Sequence, residues 1–478
     1  MPLTVREGDI HLADLQTRMP FRYGIATMTR MPMAFVRVAL DLDGRTVFGV
    51  AADLLPPKWF TKDPNRDPDL EVREMLAVIA RTLEISIGVR GDSPFEIWQE
   101  LYETQDIWSE TEDVPPLLAH FGTSLVERAV IDAWCRGMGD SFHRLLRADQ
   151  TGLRLDSIHP ELAGRTAADL LPRSPLRETT VRHTVGLADP LTQADLPSAE
   201  RLDDGLPQTL EDCIRTYGLR HFKIKLCGDL ATDRPRLEAI EKILTASAAD
   251  YQVSLDGNEQ FKDFPAFRDY WDELNDIPAV QRLVERLLFV EQPVHRDHAL
   301  DSGLLEWADR PPIIIDESDA NVAAVPLALK LGYAGASHKN CKGVFRGIGA
   351  ACLLANRKLR EPGRAFIHSG EDLCNLGPVA LQQDLAVAAA LGITSVERNG
   401  HHYVAGLSWL APEGQAPLIH SHGDLYRRSR DGWPTLDIRD GRIRLASVNE
   451  SPFGLRPLPD PAAFTPAADW VWPPAEPC

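Results

Sequence analysis

His221-Phe222-Lys223-Ile224-Lys225-Leu226 is the first of five short runs, all within residues 221–342, whose reading decides the fold. The others are Val253-Ser254-Leu255-Asp256-Gly257-Asn258, Leu288-Phe289-Val290-Glu291-Gln292-Pro293, Ile313-Ile314-Ile315-Asp316-Glu317-Ser318 and Ala336-Ser337-His338-Lys339-Asn340-Cys341-Lys342. Short apolar runs bounded by turn residues fit buried parallel strands. The segments between them are long enough for a helix each, so the pattern is strand–helix, repeated. In a barrel of that kind the carboxyl ends of the strands converge on one face, where active sites sit. Three carboxylates and three lysines would then meet there.

Outward from this core, 179–186 reads as a first barrel strand and 206–217 as its helix. Ala365-Phe366-Ile367-His368 and Gly392-Ile393-Thr394-Ser395-Val396-Glu397 supply the seventh and eighth strands, with the Ala/Leu-rich Val379–Leu391 as a helix between them. The expected catalytic domain covers 156–415, with the barrel proper from about 175 to 410.

Toward the N-terminus, Phe35-Val36-Arg37-Val38-Ala39-Leu40-Asp41 alternates apolar and polar residues. Asp43-Gly44 reads as a hairpin turn, Val47-Phe48-Gly49-Val50 as the return strand, and 10–15 as a further strand. Helical periodicity follows over 70–105 and 123–147. A sheet followed by helices predicts an α+β domain over 1–155, with an irregular junction near 150–178. The last segment, 416–478, returns to strand pattern at Thr435-Leu436-Asp437-Ile438, Asp440-Gly441 and Ile443-Arg444-Leu445. It is expected to fold back on the N-terminal domain as a hairpin, with 473–478 frayed.

Composition narrows the function. A chain of 478 residues exceeds one compact domain and suits a barrel plus a second unit. Apolar content of 44% and charged content of 25% are ordinary for a soluble protein. The net charge of −19 repels nucleic acid and anionic membranes, so neither is an expected partner. No apolar run approaches the ~20 residues that span a bilayer. Arg6, Glu7 and Asp9 near the start argue against a signal peptide. Seven cysteines, an odd count at irregular spacing, argue against a disulfide framework and for a reducing cytoplasm.

Asp256, Glu291 and Asp316 end three successive strands, about one strand–helix unit apart. Any one of them alone could instead cap a helix or pair with a lysine. Three hard oxygen donors without His or Cys beside them favour Mg²⁺. Lys223 and Lys225 share one face of their strand, interleaved with apolar Phe222, Ile224 and Leu226, which places both inside the barrel mouth. A buried lysine beside another cation and a metal is expected to have a depressed pKa and to act as a base. Lys339, on the sixth strand, lies across the barrel from the second. Lys342, three residues on, is its rival.

These runs resemble the enolase superfamily, most of all its muconate-lactonizing-enzyme branch, with some likeness to the mandelate racemases. Lys223-Ile224-Lys225 resembles that branch's Lys-x-Lys motif. Asp256-Gly257-Asn258, Glu291-Gln292-Pro293 and Asp316-Glu317-Ser318 resemble its three metal-ligand motifs, and Lys339 its sixth-strand lysine. Ala129-Val130-Ile131-Asp132-Ala133-Trp134 is similar to the helix leading from capping domain to barrel. A Lys or His base working with Mg²⁺ is a property of that superfamily. The resemblance implies an α+β capping domain on a modified TIM-type (β/α) barrel, Mg²⁺ with Mn²⁺ as the alternative ion, a homo-oligomer and a small carboxylate substrate. It implies removal of the proton α to the carboxylate by Lys225 or Lys339, through a metal-stabilised enediolate. Dehydration, epimerisation or racemisation, and cycloisomerisation all remain open after that step. Lys223, Asn258 and Glu397 are the expected substrate contacts.

The sequence departs from the pattern at His368. The mandelate racemase branch pairs a seventh-strand histidine with a sixth-strand aspartate, whereas the sixth strand here offers Lys339. His368 is therefore expected as an acid for a leaving group or a substrate contact, which favours dehydration, with a structural histidine and a dyad base as the alternatives. Glu397 is expected either protonated against the substrate carboxylate or paired with Arg398. The long segment between Asn258 and Glu291, with Pro265 and Pro278, suggests an insertion near the mouth. Segments 21–29 and 54–60 are the expected specificity loops, with Trp59 and Phe60 covering substrate or packing in the core. A non-catalytic barrel acting as a binding or assembly scaffold, and a zinc hydrolase, are the rivals. The second is disfavoured by the scarcity of His at these strand ends.

Overall fold

The computed structural model describes residues 2–23, 26–247 and 250–471. Leu3–Tyr23, Ala26–Leu42 and Arg45–Leu54 pair as an antiparallel sheet. Asp43 and Gly44 turn the second hairpin with φ of 51° and 82°. Two successive positive φ values make the tight turn whose twist matches the flanking strands. The helix Pro116–Met138 packs on this sheet, and Gly49 lets it come close. A Cβ at Gly49 would sit 2.2 Å from the Ala129 carbonyl oxygen.

The helical periodicity over 70–105 resolves into two helices, Pro68–Ser86 and Pro94–Thr111. The chain breaks between them because Gly88 takes a φ of 88° and Ser93 caps the Glu96 amide ahead of Pro94. The periodicity over 123–147 likewise ends at left-handed Gly139 and resumes at Phe142–Arg147.

Eight parallel strands form the barrel, in the order Glu178–Val185, His221–Lys225, Gln252–Asp256, Leu287–Glu291, Ile313–Ile315, Gly335–His338, Ile367–Gly370 and Ser395–Glu397. Pairing of Val396 with Val181 closes the ring. Helices follow most strands and bury their apolar faces against them. The long segment after the third strand holds two helices, Phe264–Asn275 and Pro278–Val284, each opening near a proline. Between the fourth and fifth strands the connection carries no helix among the described residues.

The C-terminal segment differs from the expected hairpin on the N-terminal domain. Pro434–Leu436 pairs with Tyr426–Arg428, and Arg442–Arg444 adds antiparallel to Glu178–Thr180 of the first barrel strand. The second strand begins only opposite Arg182, so that edge would otherwise be bare. The chain reaches the N-terminal sheet later, where Thr465–Pro466 pairs with Leu12 and His11 and Phe464 stacks on Phe35 at 4.6 Å. The expected frayed end, 473–478, lies outside the described residues.

Polar contacts lock the two parts together. Arg296, from the barrel, donates to the Trp59 and Phe60 carbonyl oxygens at 3.0 Å each. Glu127, on the helix Pro116–Met138, accepts the Val344 and Phe345 amides at 3.0 and 2.7 Å, capping the barrel helix Val344–Arg360. No described helix is long and apolar enough to cross a membrane.

Candidate active site

Strand alternation decides which side chains enter the barrel mouth. Along the first strand Arg182 and Thr184 point inward, along the second Lys223 and Lys225, and along the sixth Ser337 and, just past it, Lys339. A cavity of about 80 Å³ opens there. Lys223, Lys225, Asn258, Asp316, Lys339 and Glu397 line it from the barrel; Phe21, Arg22, Lys58 and Trp59 line it from the N-terminal domain.

Asp256, Glu291 and Asp316 are at most 2% exposed. Asp256 and Glu291 end adjacent strands in register, and Asp316 follows the fifth. The Lys223 ammonium lies 3.1 Å from Asp256, 2.9 Å from Glu291, 2.6 Å from Glu371 and 3.1 Å from Glu397. Lys225 donates to Asp256 at 2.5 Å. Lys339 donates to Asp316 and stands 5.1 Å above the Trp59 ring centre. Lys342 pairs with the other Asp316 oxygen at 2.9 Å and with the Asp316 carbonyl oxygen at 2.7 Å, which fixes that carboxylate from behind.

Beside these carboxylates alone, the lysines do not carry the depressed pKa expected of them beside a metal. Burial acts to lower the Lys223, Lys225 and Lys339 pKa values, but the carboxylates against each ammonium outweigh it and raise all three. Conversely, burial works to raise Asp256 and Asp316, and the facing lysines hold both below the ordinary carboxylate range. Glu291 is raised by burial and by the neighbouring charges of Asp256 and Glu371. Glu317, also on the cavity, is pushed to about 7 by burial and by Asp316.

The donor set fits a hard divalent cation. Asp256, Glu291 and Asp316 bring hard carboxylate oxygens to one mouth, each now paired with a lysine ammonium. The acids do not themselves close on one point, because the ammonium groups stand between and beside them. Among the described residues, only His183, Cys213 and His402 bring three ligand atoms within 4.8 Å of one another.

His368 lies outside the cavity, which corrects its expected role. The seventh strand runs on to Gly370, so Ser369 and Glu371 point inward and His368 points out into the helix layer. Its ring sits 5.6 Å from that of His338, in a separate crevice with His159, Asp319 and Arg346. Burial, reinforced by His338 and Lys342, pushes its pKa well below the usual value. The seventh-strand residue that enters the site is Glu371. It is fully buried between Lys223 and Arg182. Following the strand two residues further, to the glycine that ends it, would have found it.

Glu397 pairs with neither a proton nor Arg398. Against burial, Lys223 holds its pKa below the ordinary carboxylate range. Thr184 and Asn399 donate to it at 2.5 and 2.8 Å. Arg398 turns away to Asp372 and Asp384. Asn258 takes a φ of 46°, and its amide donates to Asp256 at 2.8 Å. Of the two expected covering aromatics, Trp59 faces the cavity, while Phe60 also packs on Phe121 at 4.9 Å.

Solved structures share this architecture. Muconate lactonizing enzyme from Pseudomonas fluorescens, complexed with muconolactone, superposes with a TM-score of 0.61 at 18% identity, over 97% of this chain and 99% of that one. Dipeptide epimerase from Enterococcus faecalis V583 gives 0.58 at 15% identity, over 94% and 99%. An enolase from Bradyrhizobium, complexed with magnesium and mandelic acid, gives 0.54 at 15% identity, over 93% and 94%. These likenesses establish the capping domain and modified barrel as the fold of this chain. No protein-family profile matches the sequence, and no curated protein does.

Proposed function

We propose that the protein is an isomerase or lyase of the enolase-superfamily type, which removes the proton α to the carboxylate of a small acid. One observation carries this reading: Lys225 and Lys339, on the second and sixth of eight strands and so on opposite walls, line the same cavity as Asp316. Asp256, Glu291 and Asp316 would hold Mg²⁺. When bound, the ion supplies positive charge that favours negative charge developing on the substrate carboxylate and offsets the field now keeping the lysines protonated.

The chain's own residues do the rest. Lys225 takes the α-proton from one face and Lys339 serves the other, or the reverse. Lys223, held by four acids, and Asn258 orient the carboxylate end. Trp59 keeps water from Lys339, and burial of the whole mouth strengthens each electrostatic contact. With His368 outside the cavity, the case for an extra acid driving dehydration falls. Proton removal on one face and return on the other, racemisation or epimerisation, suits the two opposed amines best. Cycloisomerisation uses the same first step. The assay is α-deuterium uptake in D₂O with Mg²⁺ across sugar acids and N-acylated amino acids. Uptake that needs both Mg²⁺ and the lysines supports the reading; no uptake across the panel defeats it.

A further inference from the structure

Behind the seam where the eighth strand closes on the first, three side chains from distant parts of the chain meet. His183 points outward from the first strand, Cys213 comes from the helix Leu210–Tyr217, and His402 from the short helix Gly400–Tyr403. One ligand atom from each lies within 4.8 Å of the other two, and none of the residues is more than 3% exposed. Cys213 Sγ stands 3.6 Å from His402 Nδ1. A tetrahedral zinc with Zn–S of about 2.3 Å and Zn–N of about 2.0–2.1 Å has an S···N edge of ~3.5 Å.

We propose that His183, Cys213 and His402 form a structural Zn²⁺ site, distinct from the carboxylate site, that staples the barrel closure. A simple S–H···N hydrogen bond would account for the 3.6 Å contact. It would leave His183 Nδ1 as it is, buried with no hydrogen-bond partner. Burial pushes His183 to about 4 and His402 well below its usual value, so both rings are in the neutral, ligating form. On binding, the Cys213 S–H bond gives its proton to solvent and a sulfur–zinc bond forms. The two imidazoles contribute lone pairs, and no oxidation occurs. Burial, with Asp189 and Asp212 adding to it, pushes the Cys213 thiol well above its usual range, so the thiolate forms only against the charge of the ion.

The site has a structural consequence. His183 precedes Thr184, and His402 precedes Tyr403, both on the cavity wall. Arg18 of the N-terminal sheet also donates to the His402 carbonyl oxygen at 2.9 Å.

The full chain, equilibrated with Zn²⁺, desalted into Mg²⁺ buffer and assayed for metal, is expected to retain one zinc per chain and to unfold at a higher temperature than chelator-treated protein. Refolded with Co²⁺, it should show a thiolate-to-cobalt charge-transfer band. Cys213→Ser should lose the zinc and the band, whereas Asp316→Asn should keep both. Should Cys213→Ser fail to fold, His183→Gln keeps the thiol and should lose at least about tenfold in zinc affinity. Wild-type protein that holds no zinc and shows no band, or a band that survives in Cys213→Ser, overturns the proposal.

Discussion

Lys223 stands at the electrostatic centre of the site, and replacing it should change both the size and the pH dependence of stability. Its ammonium is 3% exposed and contacts Asp256, Glu291, Glu371 and Glu397. Lys223→Met removes the charge and keeps the apolar stem. Breaking a buried ion pair from one side costs about 3–5 kcal/mol. Four acids share this one cation, so the loss belongs at the upper end. The pH dependence should also steepen. In the wild type, Asp256 and Glu397 are depressed chiefly by Lys223, against burial. Their stabilisation is present above the ordinary carboxylate range and is lost as pH falls through the depressed values. In the variant the acids lose their shared cation: Glu291, already raised by burial, rises further, and Glu397 and Asp256 move up, with Lys225 still facing Asp256, so more stability is lost as pH rises. Guanidinium unfolding midpoints from about pH 5 to about pH 8 should therefore fall more steeply with pH in the variant than in the wild type, where Glu127 and Glu317 already titrate near 7. Mg²⁺ should stabilise the variant by ~2.7 kcal/mol at a hundredfold excess over its Kd, and the wild type, whose Lys223 competes for the same oxygens, by less at that concentration. A loss below about 1 kcal/mol, or midpoints that fall with pH no more steeply than in the wild type, would refute the reasoning.

Other outcomes follow from the same geometry. Lys225→Gln and Lys339→Gln should each lower α-deuterium exchange by about 10²–10⁴-fold, each on one stereochemical face, read by NMR on the two enantiomers. Equal loss on both faces for each variant would argue against opposed bases. His368→Gln should leave exchange unchanged, and a large drop would return the histidine to the mechanism. Glu127, pushed to about 7 by burial, should contribute most below its unfolded value of 4.5 and lose that contribution as pH rises through about 7. Glu127→Gln should remove this pH dependence while costing about 1–3 kcal/mol for one unmade helix-end hydrogen bond, measurable as a shift in unfolding midpoint.

Much of the site was legible because its signals are local. Asp256, Glu291 and Asp316 stand at the ends of apolar runs, and a run's end is visible in a few residues. The Lys223–Lys225 pair is readable from strand alternation alone. His368 failed for a related reason: placing the strand end two residues early aimed the wrong side chain inward and hid Glu371. The lysine pKa direction was missed because it depends on how many carboxylates surround each ammonium, a count taken across four strands.

The order of strands and helices, and the residues at the strand ends, come from hydrophobic period and turn chemistry, which a single chain carries along its length. What the tertiary structure decided is which groups meet across the barrel. Arg398 leaves Glu397 for Asp372 and Asp384, Lys223 takes four acids, and Cys213 reaches a histidine 189 residues away. Such contacts are settled by closure of the barrel, where burial makes every charge find a partner, and no local stretch of sequence records the choice.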